Sequence, residues 1–458
     1  MTDRPLLIVI LAAGKGTRMK SATPKVLHEI AGRSMLGHVL ALAGALGATG
    51  KAVVVGPGMD DVRAEALKLA PDAQIFVQGE QLGTADAVLA AREAIAAHNG
   101  DVLVLYADTP LMRSSSLKEL LSVLEHGVGI SVLGFESDDP TGYGRLITED
   151  GGRLLAIREH KDASPAELGI RLCNSGVMGF RVDDLVGLLE RIGSDNAKRE
   201  YYLTDAIEIA SADGIGAAVV TCEEQEVLGV NSRDHLAVAE GIWQRRARAE
   251  AMLAGVTMVA PETVWLSHDT VLGRDVLVEP NVFIGLGVSI EDNVRIRANC
   301  YLEGQNAKSR AGVHIEEGAE VGPFARLRPG TRLGRDVQIG NFVEIKNANM
   351  EAGAKASHLT YVGDARVGAE ANIGAGTIFC NYDGFRKSRC DVGAGVFIGS
   401  NSALVAPVKI GDGAYVAAGS TITQDVAGQS LAIERAVQAE KPGWVVQHRE
   451  KMVNQKKD

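Results

Sequence analysis

The sequence has few of the features that mark secreted, membrane-embedded or nucleic-acid-binding proteins. Only five of its 458 residues are cysteines, an odd number without metal-ligand spacing, which favours a reducing, cytoplasmic environment. The apolar run Leu6–Ala13 is too short to cross a membrane, and Lys15 follows it closely, so we expect a buried strand and no membrane insertion. The net charge of −11 argues against a nucleic-acid polymer as partner, although local cations can still hold a mononucleotide.

The length of the chain excludes a single ordinary core. Up to about residue 229, short apolar runs alternate with amphipathic segments, which predicts an α/β domain with a mostly parallel sheet. The predicted strands include Leu6–Leu11, Ala52–Val55, Ile75–Val77, Val102–Tyr106 and Ile130–Phe135, and the predicted helices include Met59–Ala70 and Thr84–His98. Ligands of such a domain bind at the carboxyl ends of the strands.

A second pattern, with a period of six residues, fills most of the C-terminal half. Its apolar pairs are Val276/Val278, Val282/Ile284, Val288/Ile290, Val294/Ile296, Cys300/Leu302, Val337/Ile339, Val343/Ile345, Val396/Ile398, Ser402/Leu404, Val408/Ile410, Ala414/Val416 and Ser420/Ile422. Positions six apart lie about 240° apart around an α-helix, so no helical face collects them. Short strands joined by turns point every pair inward, which predicts a parallel β-helix.

The repeat also predicts the extent and the interruptions of this β-helix. It runs from Val264 to about Ile422, or about eight coils in a rod roughly 35–40 Å long. Glycines such as Gly285 and Gly340 fall at the corners, where positive φ or close approach is needed. The register breaks between residues 302 and 313, 345 and 359, and 379 and 390, where loops are expected to leave the rod.

These patterns divide the chain into four parts. We predict an α/β domain at 1–229, a linker helix at 230–254, a β-helix domain at 255–438 and a tail at 439–458. The linker prediction depends on Ser232–Ala254, a charged segment with apolar residues at helical spacing. The polar residues after Trp444 are expected to be mobile.

A glycine-rich string follows the first predicted strand. It reads Leu11-Ala-Ala-Gly-Lys-Gly-Thr-Arg-Met19, and Pro24-Lys25 lies six residues beyond Arg18. Backbone N–H groups in such a turn can approach phosphates, while Arg18 and Lys25 can neutralise a triphosphate. The spacing fits neither a P-loop nor the dinucleotide fingerprint. The alternative is a tight turn with surface cations.

Three outward positions of the predicted β-helix carry candidate site residues. Arg328 follows the inward Leu327, and Lys346 lies one 18-residue coil later, so the two cations should stack into an anion site. Solvated surface charge is the alternative. His358 precedes Leu359, which we expect to point inward, so His358 should point outward beside a register break.

The string LAAGKGTRM…PK resembles the signature of sugar-1-phosphate nucleotidylyltransferases. Together with a β-helix carrying His358-Leu-Thr-Tyr361 and Cys380-Asn-Tyr-Asp-Gly384, the chain resembles the family of bacterial bifunctional N-acetylglucosamine-1-phosphate uridylyltransferase / glucosamine-1-phosphate N-acetyltransferase enzymes. The resemblance spans about residue 6 to Trp444. It implies a Rossmann-like nucleotidyltransferase domain and a left-handed parallel β-helix joined by a long helix, in a homotrimer with the acetyl site between subunits.

The resemblance also implies the reactions. Glucosamine-1-phosphate is acetylated by acetyl-CoA at the C-terminal site, and UMP is then transferred from UTP at the N-terminal site. The products are UDP-N-acetylglucosamine, for peptidoglycan and lipopolysaccharide assembly, and pyrophosphate. Mg²⁺ is the implied cofactor.

For the N-terminal site, the resemblance makes Arg18 and Lys25 catalytic and Asp108 and Asn231 the Mg²⁺ ligands. The alternative for Asp108, Asn231 and Thr84 is a purely structural role as helix caps, and Ser232 could cap the helix in place of Asn231. The implied UTP and UDP-N-acetylglucosamine residues are Leu11, Ala12, Ala13, Gly14, Lys25, Gln78, Gly83, Thr84, Tyr106, Asp108, Gly144, Glu159, Asn174, Tyr202, Thr204 and Asn231. Among them, the segment Gln78–Thr84 resembles the part that reads uracil in the family, where a glutamine amide and backbone groups can match the edge of the base. The resemblance makes Gly144, Glu159, Asn174, Tyr202 and Thr204 the residues that contact the sugar.

For the C-terminal site, the resemblance makes His358 the general base. The implied sugar-phosphate residues are Arg328, Lys346, Tyr361 and Asn372, and the implied acetyl-CoA residues are Ala375, Asn381, Tyr382, Ser400, Ala418 and Arg435. Asn381 is expected to polarise the thioester carbonyl or hold the oxyanion, although Asn-Tyr-Asp-Gly would form a turn in any case.

Two other functions remain open at this point. One is a single-activity nucleotidylyltransferase whose β-helix is structural or regulatory. The other is a non-catalytic scaffold, against which the intact LAAGKGTRM…PK string and Asp108 argue.

Overall fold

The computed structural model describes residues 4–149 and 152–454, which form two compact units divided between Ala247 and Arg248. The division falls inside one long helix, Arg233–Leu253, which confirms the helix predicted at Ser232–Ala254. Within residues 4–149 and 152–454, no helix has the length and apolar character that a membrane crossing requires.

Strands and helices alternate along the first unit, as predicted. The strands are β1 Leu6–Leu11, β2 Glu29–Ile30, β3 Arg33–Ser34, β4 Gly50–Val55, β5 Gln74–Val77, β6 Asp101–Tyr106, β7 Ile130–Glu136, β8 Arg145–Thr148, β9 Leu154–Arg158, β10 Leu172–Phe180 and β11 Ala217–Cys222. The α-helices are α1 Met35–Ala45, α2 Asp60–Leu69, α3 Thr84–Leu89, α4 Arg92–Ala96, α5 Ser114–Glu125, α6 Pro165–Leu168, α7 Leu185–Glu190, α8 Ala206–Ala212 and α9 Arg233–Leu253.

The central sheet of this unit has the strand order β11-β7-β10-β6-β1-β4-β5. Strand β1 is parallel to β4 and β6, and β10 is antiparallel to β6 and β7, so the sheet is mostly parallel, as predicted. Leu11 at the end of β1 pairs with Tyr106 at the end of β6. The segments after these strands therefore open at one carboxyl edge, where this class of fold binds ligands.

One helix prediction in this unit is wrong in detail. The segment predicted as a single helix, Thr84–His98, is broken into α3 and α4. The N–H of Ala91 bonds to the carbonyl of Val88 at 3.0 Å, so the chain tightens by one residue between the two helices.

The second unit is built from short strands. They are β12 Thr257–Met258, β13 Trp265–Leu266, β14 Val271–Leu272, β15 Leu277–Val278, β16 Phe283–Ile284, β17 Val288–Ile290, β18 Arg295–Ile296, β19 Tyr301–Leu302, β20 Val313–Ile315, β21 Glu320–Val321, β22 Arg326–Leu327, β23 Arg332–Leu333, β24 Gln338–Asn341, β25 Glu344–Met350, β26 Lys355–His358, β27 Tyr361–Val367, β28 Asn372–Ile373, β29 Ile378–Cys380, β30 Cys390–Val392, β31 Phe397–Ile398, β32 Ala403–Val405, β33 Val408–Ile410, β34 Tyr415–Val416, β35 Thr421–Ile422 and β36 Leu431–Ala432. A terminal helix, α10, follows at Trp444–Asn454.

Strands that lie one coil apart pair in parallel, which confirms the predicted coil. One face is the ladder β12-β15-β18-β21-β24-β26-β28-β31-β34-β36. The other two faces form one continuous sheet, because the seven-residue strands β25 and β27 each extend from one face onto the next. The ladder begins at Thr257 and ends at Ala432, so the β-helix is longer than the predicted Val264–Ile422 and has ten coils rather than eight.

The predicted inward pairs form the core of the β-helix. Val276, Val278, Val282 and Ile284 are fully buried, and the small polar Ser402 is 1% exposed at its inward position. Burial raises the pKa of two inward thiols, to about 11 for Cys300 and about 12 for Cys390, which keeps them as inert core groups.

Two of the three predicted loops are present. The chain leaves the coil between Leu302 and Val313 and between Cys380 and Cys390. Between residues 345 and 359 the prediction is wrong, because the strands continue and the coil is only one residue shorter. Neighbouring coils are 18 residues apart at Arg326 and Glu344 but 17 residues apart at Asn341 and His358.

The shortened coils move the register at Leu359. We expected this side chain inside, but it is 61% exposed, and Thr360 is buried instead. Leu359 belongs to a corner column with positive φ in each coil, formed by Asn281, Asn299, Phe324, Phe342, Leu359, Gly376, Asn401 and Gly419. Asparagine and glycine tolerate this conformation, whereas bulky side chains there are unusual.

The last described element is a helix. The segment from Trp444 forms α10, in which the Trp444 ring stacks on His448 at 4.7 Å between centroids. Residues 455–458 of the predicted tail lie outside the described part.

Candidate active sites

The glycine-rich string forms the turn after β1. Gly16 has φ 59°, and a Cβ there would lie 2.5 Å from the Cβ of Lys25, so only glycine fits. Among the described residues, none accepts a hydrogen bond from the backbone N–H groups of Gly14, Lys15 or Gly16. A turn with unused N–H groups beside the exposed Arg18 is suited to bind phosphate.

The ammonium group of Lys25 donates hydrogen bonds to both predicted metal ligands. Its Nζ donates to Oδ2 of Asp108 at 2.5 Å and to Oδ1 of Asn231 at 3.1 Å, and its side chain is 10% exposed. Asn231 is therefore not the cap of α9, which begins at Arg233. Because both oxygens converge on one cation, this donor pair fits Mg²⁺ if a phosphate supplies further oxygen ligands. A cluster of three or more His, Cys, Asp or Glu side chains able to hold a metal was not found in the described residues.

The predicted uracil segment is anchored on both sides. The amide of Gln78 donates to the carbonyl of Gly83 at 3.1 Å and to Oδ2 of Asp86 at 2.7 Å. Thr84 does not cap α3, because Gly83 takes the N-cap position. The Thr84 hydroxyl accepts instead from the backbone N–H of Leu203 at 2.9 Å, so it joins this segment to the predicted sugar loop.

The predicted sugar residues lie around Glu159. A Cβ at Gly144 would lie 3.5 Å from both Glu159 Oε1 and Asn174 Cβ, so the glycine leaves an open space between them. Burial is the main cause of a raised pKa at Glu159, and it raises the pKa of Tyr202 to about 12, with nearby carboxylates adding to the effect. The buried Tyr202 hydroxyl has no hydrogen-bond partner in the described chain, so it can serve a ligand hydroxyl.

Tyr106 connects the metal side to the sugar side. It is partly buried, and its pKa is raised by desolvation first and then by Asp108 and Glu159, so the phenol stays neutral. Gly176, at φ 90°, gives its ring room, since a Cβ there would lie 2.8 Å from Cε2 of Tyr106.

The β-helix places several predicted residues in one row, one coil apart. Backbone N–H groups link successive coils at this corner: Leu359 to Asn341, Gly376 to His358, Asn401 to Ala375 and Gly419 to Ser400. Arg435 closes the row through Nη1, which donates to the carbonyl of Ala418 at 2.8 Å. His358, Ala375, Ser400 and Ala418 thus form a line roughly 14 Å long at ~4.8 Å per coil.

The ring of His358 is held in one orientation. Nδ1 lies 2.8 Å from Oδ1 of Asn341, which can only accept, so the neutral ring carries its hydrogen on Nδ1. The basic lone pair is then on Nε2 of an exposed side chain, as a general base requires. The prediction that His358 points outward is confirmed, although Leu359 was the wrong reason for it.

Arg328 and Lys346 are brought together on neighbouring coils, as predicted. Arg328 also pairs with Glu344 at 2.8 Å, so it is not a free surface cation. The pKa of Lys346 is lowered by burial and by the nearby cations Lys387 and Arg328, and Asp364 only partly opposes this. Three cations at one place make an anion site, because a bound phosphate would relieve their mutual repulsion.

Asn381 lies beside this cationic cluster, with its amide already engaged. Nδ2 donates to Oδ2 of Asp364 at 2.5 Å and to the Tyr361 hydroxyl at 3.3 Å. Gly363 permits this approach, since a Cβ there would lie 2.3 Å from the Tyr361 hydroxyl. The amide cannot donate to a thioester oxygen without breaking one of these bonds, so the predicted oxyanion role does not fit; Oδ1, an acceptor, is the available atom.

The remaining predicted residues lie apart from the cluster. Asp383 accepts from the N–H groups of Phe385 and Arg386, which confirms the expected turn, and the ring of Tyr382 is 60% exposed. Asn372 lies in β28, in the ladder face, whereas Tyr361 lies in β27 on another face.

Sequence reasoning missed Asn341, Asp364 and Lys387. Asn341 lies one shortened coil before His358, so a 17-residue spacing would have revealed it. Asp364 follows the recognised Tyr361 string, but its partners are set by the fold. Lys387 lies in the loop after Cys380, and its approach to Lys346 has no signal in the repeat.

Comparison with known families agrees with this architecture. The pattern of the MobA-like NTP transferase domain matches residues 8–164, that of the bacterial transferase hexapeptide with six repeats matches 312–347 and 389–424, and that of the hexapeptide repeat of succinyl-transferase matches 270–304. The predicted fold class, a Rossmann-like α/β domain followed by a parallel β-helix of hexapeptide repeats, is confirmed by these matches and by the strand order, and both are consistent with the left-handed coil that the resemblance implies.

Similar curated proteins cover nearly the whole chain. Those named bifunctional protein GlmU from Azorhizobium caulinodans and Xanthobacter autotrophicus are each 59% identical over 444 residues, which is 97% of this chain and 97% of theirs. The protein of the same name from a Bradyrhizobium species is 52% identical over 457 residues, the full length of both chains.

Proposed function

The chain belongs to the family of bifunctional GlmU proteins, and on that premise we propose how its residues divide two reactions between them. It is a bifunctional enzyme that acetylates glucosamine-1-phosphate with acetyl-CoA and transfers UMP from UTP to N-acetylglucosamine-1-phosphate. The observation that favours two activities over a structural β-helix is the fixed tautomer of His358 at the head of the Ala375–Ser400–Ala418 row. A β-helix with only a structural role needs neither an oriented histidine nor this row of residues.

At the uridylyl site we assign the predicted residues to positioning and charge neutralisation. The phosphate oxygen of the sugar attacks the α-phosphorus of UTP in line, and pyrophosphate leaves with the electrons of the broken P–O bond. The 14–16 turn holds the triphosphate, Arg18 and Lys25 stabilise the charge that develops, and Glu159, Asn174 and Tyr202 orient the sugar. Asp108 and Asn231 would hold Mg²⁺, which supplies further charge neutralisation on the phosphates.

At the acetyl site we assign His358 as the base. Nε2 takes a proton from the amine of glucosamine-1-phosphate, the amine attacks the thioester carbonyl, and coenzyme A leaves as its thiolate. Arg328, Lys346 and Lys387 bind the sugar phosphate, helped by Tyr361 and Asn372. The acetyl-CoA lies along Ala375, Ser400 and Ala418 towards Arg435, and the loop with Asn381 and Tyr382 covers it.

The family premise and the hexapeptide repeats suggest an oligomer, and we propose a homotrimer with the acetyl site between subunits. Within the corner column, three apolar side chains lie next to each other beside His358. They are the stacked rings of Phe324 and Phe342, 50% and 55% exposed, and the exposed Leu359. Bulky residues at positive φ are strained, and such strain is usually kept for a function. Asn372 and the cationic cluster lie on different faces of one chain, so a neighbouring copy can bring them together.

The cellular setting is proposed on the same premise. Five free thiols fit a reducing cytoplasm, where the product would feed peptidoglycan and lipopolysaccharide assembly. We keep 1–229 as the uridylyltransferase domain, 230–254 as the linker helix and 255–438 as the acetyltransferase domain.

The test uses purified full-length protein with glucosamine-1-phosphate, acetyl-CoA, UTP and Mg²⁺, with each donor omitted in turn and products followed by mass spectrometry. We expect N-acetylglucosamine-1-phosphate without UTP and UDP-N-acetylglucosamine with it. An Arg18→Ala variant should lose about 100-fold or more of the second reaction and keep the first. Nucleotide transfer from pre-acetylated sugar alone, with no acetylation, would instead support the structural β-helix.

A further inference from the structure

Gln78 has only one kind of hydrogen-bonding atom left for a ligand. Its side chain is 5% exposed, and both hydrogens of its amide are used inside the protein, by the carbonyl of Gly83 and by Oδ2 of Asp86. The remaining polar atom is the amide oxygen Oε1, which can only accept a hydrogen bond.

Asp86 fixes this orientation of the amide. A carboxylate has no hydrogen to donate, so the amide nitrogen must face it. A half-turn of the amide would place Oε1 against both Oδ2 of Asp86 and the carbonyl of Gly83. The bond to the charged group, 2.7 Å long, is shorter than the 3.1 Å bond to the neutral carbonyl and contributes the larger share of the preference.

A fixed acceptor distinguishes between pyrimidine bases. In a uridine nucleotide the base carries one N–H group, N3–H, which matches an acceptor. Cytosine has a lone pair at N3, which would oppose Oε1, whereas thymine keeps the N3–H group of uracil. The N–H groups of cytosine belong to the amino group at C4, so a site built to accept a hydrogen bond from N3–H rejects cytosine.

We propose that Asp86 is a positioning residue that sets the base specificity of the uridylyl site: it holds the Gln78 amide with its oxygen towards the base, so that UTP is accepted and CTP is rejected. The inference rests on the proposed function, because it takes the segment 78–84 as the part that reads the base. Asp86 itself does not touch the nucleotide, and it does not affect the choice between UTP and dTTP.

The test measures kcat/KM for UTP, CTP and dTTP with N-acetylglucosamine-1-phosphate. In Asp86→Asn and Asp86→Ala variants of the full chain, the UTP/CTP ratio should fall by about fivefold or more, since a charged acceptor is lost. The UTP/dTTP ratio should stay constant, because both bases present N3–H. Glu93→Gln is the matched control. It removes a carboxylate from a cavity that Gln78 and Asp86 also line, but in the described structure Glu93 makes no hydrogen bond to Gln78, so neither ratio should change.

Three results would overturn the proposal. One is an unchanged UTP/CTP ratio in both Asp86 variants; another is an equal loss for all three nucleotides, which would assign Asp86 to loop stability. The third needs no variant: 3-methyluridine triphosphate, which lacks N3–H, should compete with UTP at least about tenfold more weakly than dTTP does, and equal competition would contradict an acceptor at Gln78. Absence of any UTP turnover by the unaltered chain would be a failure of the proposed function itself.

Discussion

The two units assemble their sites by different rules. In the first unit, Lys25 reaches Asp108 across 83 positions and Asn231 across 206, because connecting segments that are distant in sequence meet beside the end of β6. In the second, Asn341 and His358 meet because they are one coil, 17 positions, apart. A contact in the coil is fixed by counting along the chain, whereas a contact in the α/β unit depends on strand order. Substitutions in the two units should therefore impair the two reactions in different ways.

The largest expected contrast comes from variants that remove one site each. Asp108→Ala should lower nucleotide transfer about 100-fold or more, because Lys25 and the proposed Mg²⁺ lose their carboxylate, and should leave acetylation intact. His358→Ala should do the reverse, with a loss of about 10²- to 10⁴-fold. Both reactions are measured separately on the same preparations. A loss of both in either folded variant would mean that the two sites are not independent.

The next effect concerns the tautomer of His358. Asn341→Leu removes the acceptor at Nδ1, so the ring can place its hydrogen on Nε2, and acetylation should fall about 10- to 100-fold. Asn341→Asp keeps an acceptor and should retain most of the rate.

Gln338→Leu, on the same strand, is the matched control and should have no effect on either reaction. A pH profile of kcat/KM for acetylation identifies the cause, because a changed base alters the profile and a simple packing defect does not. Equal rates in the Leu and Asp variants would contradict the assignment.

Substitution in the corner column should have a smaller effect, on association and acetylation but not on nucleotide transfer. Phe342→Asn replaces a strained ring at φ 55° with a residue that tolerates this conformation, and it removes exposed apolar surface. We expect association to weaken in sedimentation, acetylation to fall about tenfold as the shared site is lost, and nucleotide transfer to persist. Tyr301→Ser, which removes another exposed stacked ring, should leave acetylation unchanged. Unchanged sedimentation of Phe342→Asn would place the interface elsewhere.

The smallest effect is on stability. Burial raises the pKa of Asp205 to about 6, above its ordinary 3.8. The folded state therefore keeps a proton that the unfolded state releases, and stability declines as pH rises from about 4 to about 6. Asp205→Asn should stabilise the chain above pH ~6 by about 1–2 kcal/mol after allowance for partial exposure, and not at pH ~4. Thermal unfolding at the two pH values measures this, and equal shifts at both would exclude titration as the cause.

How much the sequence predicts also differs between the units. The period of six identified the buried pairs of the coil, because inward positions recur at that spacing where coils are equal in length. The prediction failed at Leu359, since the coil loses one residue between Ile345 and Met350 and the inward positions move. Only the paired strands show that the gap is a short coil and not a loop.

In the α/β unit, the motif strings identified the residues but not their partners. Nothing in the string around Lys25 indicates that its ammonium lies between Asp108 and Asn231. The same limit applied in the coil to Asn381, whose amide direction is set by Asp364 and Tyr361. The direction of a side chain depends on its neighbours in space. These are distant in sequence, or they are placed next to it by a loop that returns to the coil.

The equal coils before Leu302 have a genetic consequence. Leu277 pairs with Arg295 one coil later, and Arg274 bonds to Asp292 across 18 positions, so each coil presents to the next the same surface that it receives. In-frame duplication or loss of one coil's codons would therefore preserve strand pairing and the buried column. Since the proposed acetyl-site residues all lie after this stretch, the gene can change the length of the protein there by whole coils while the site stays the same.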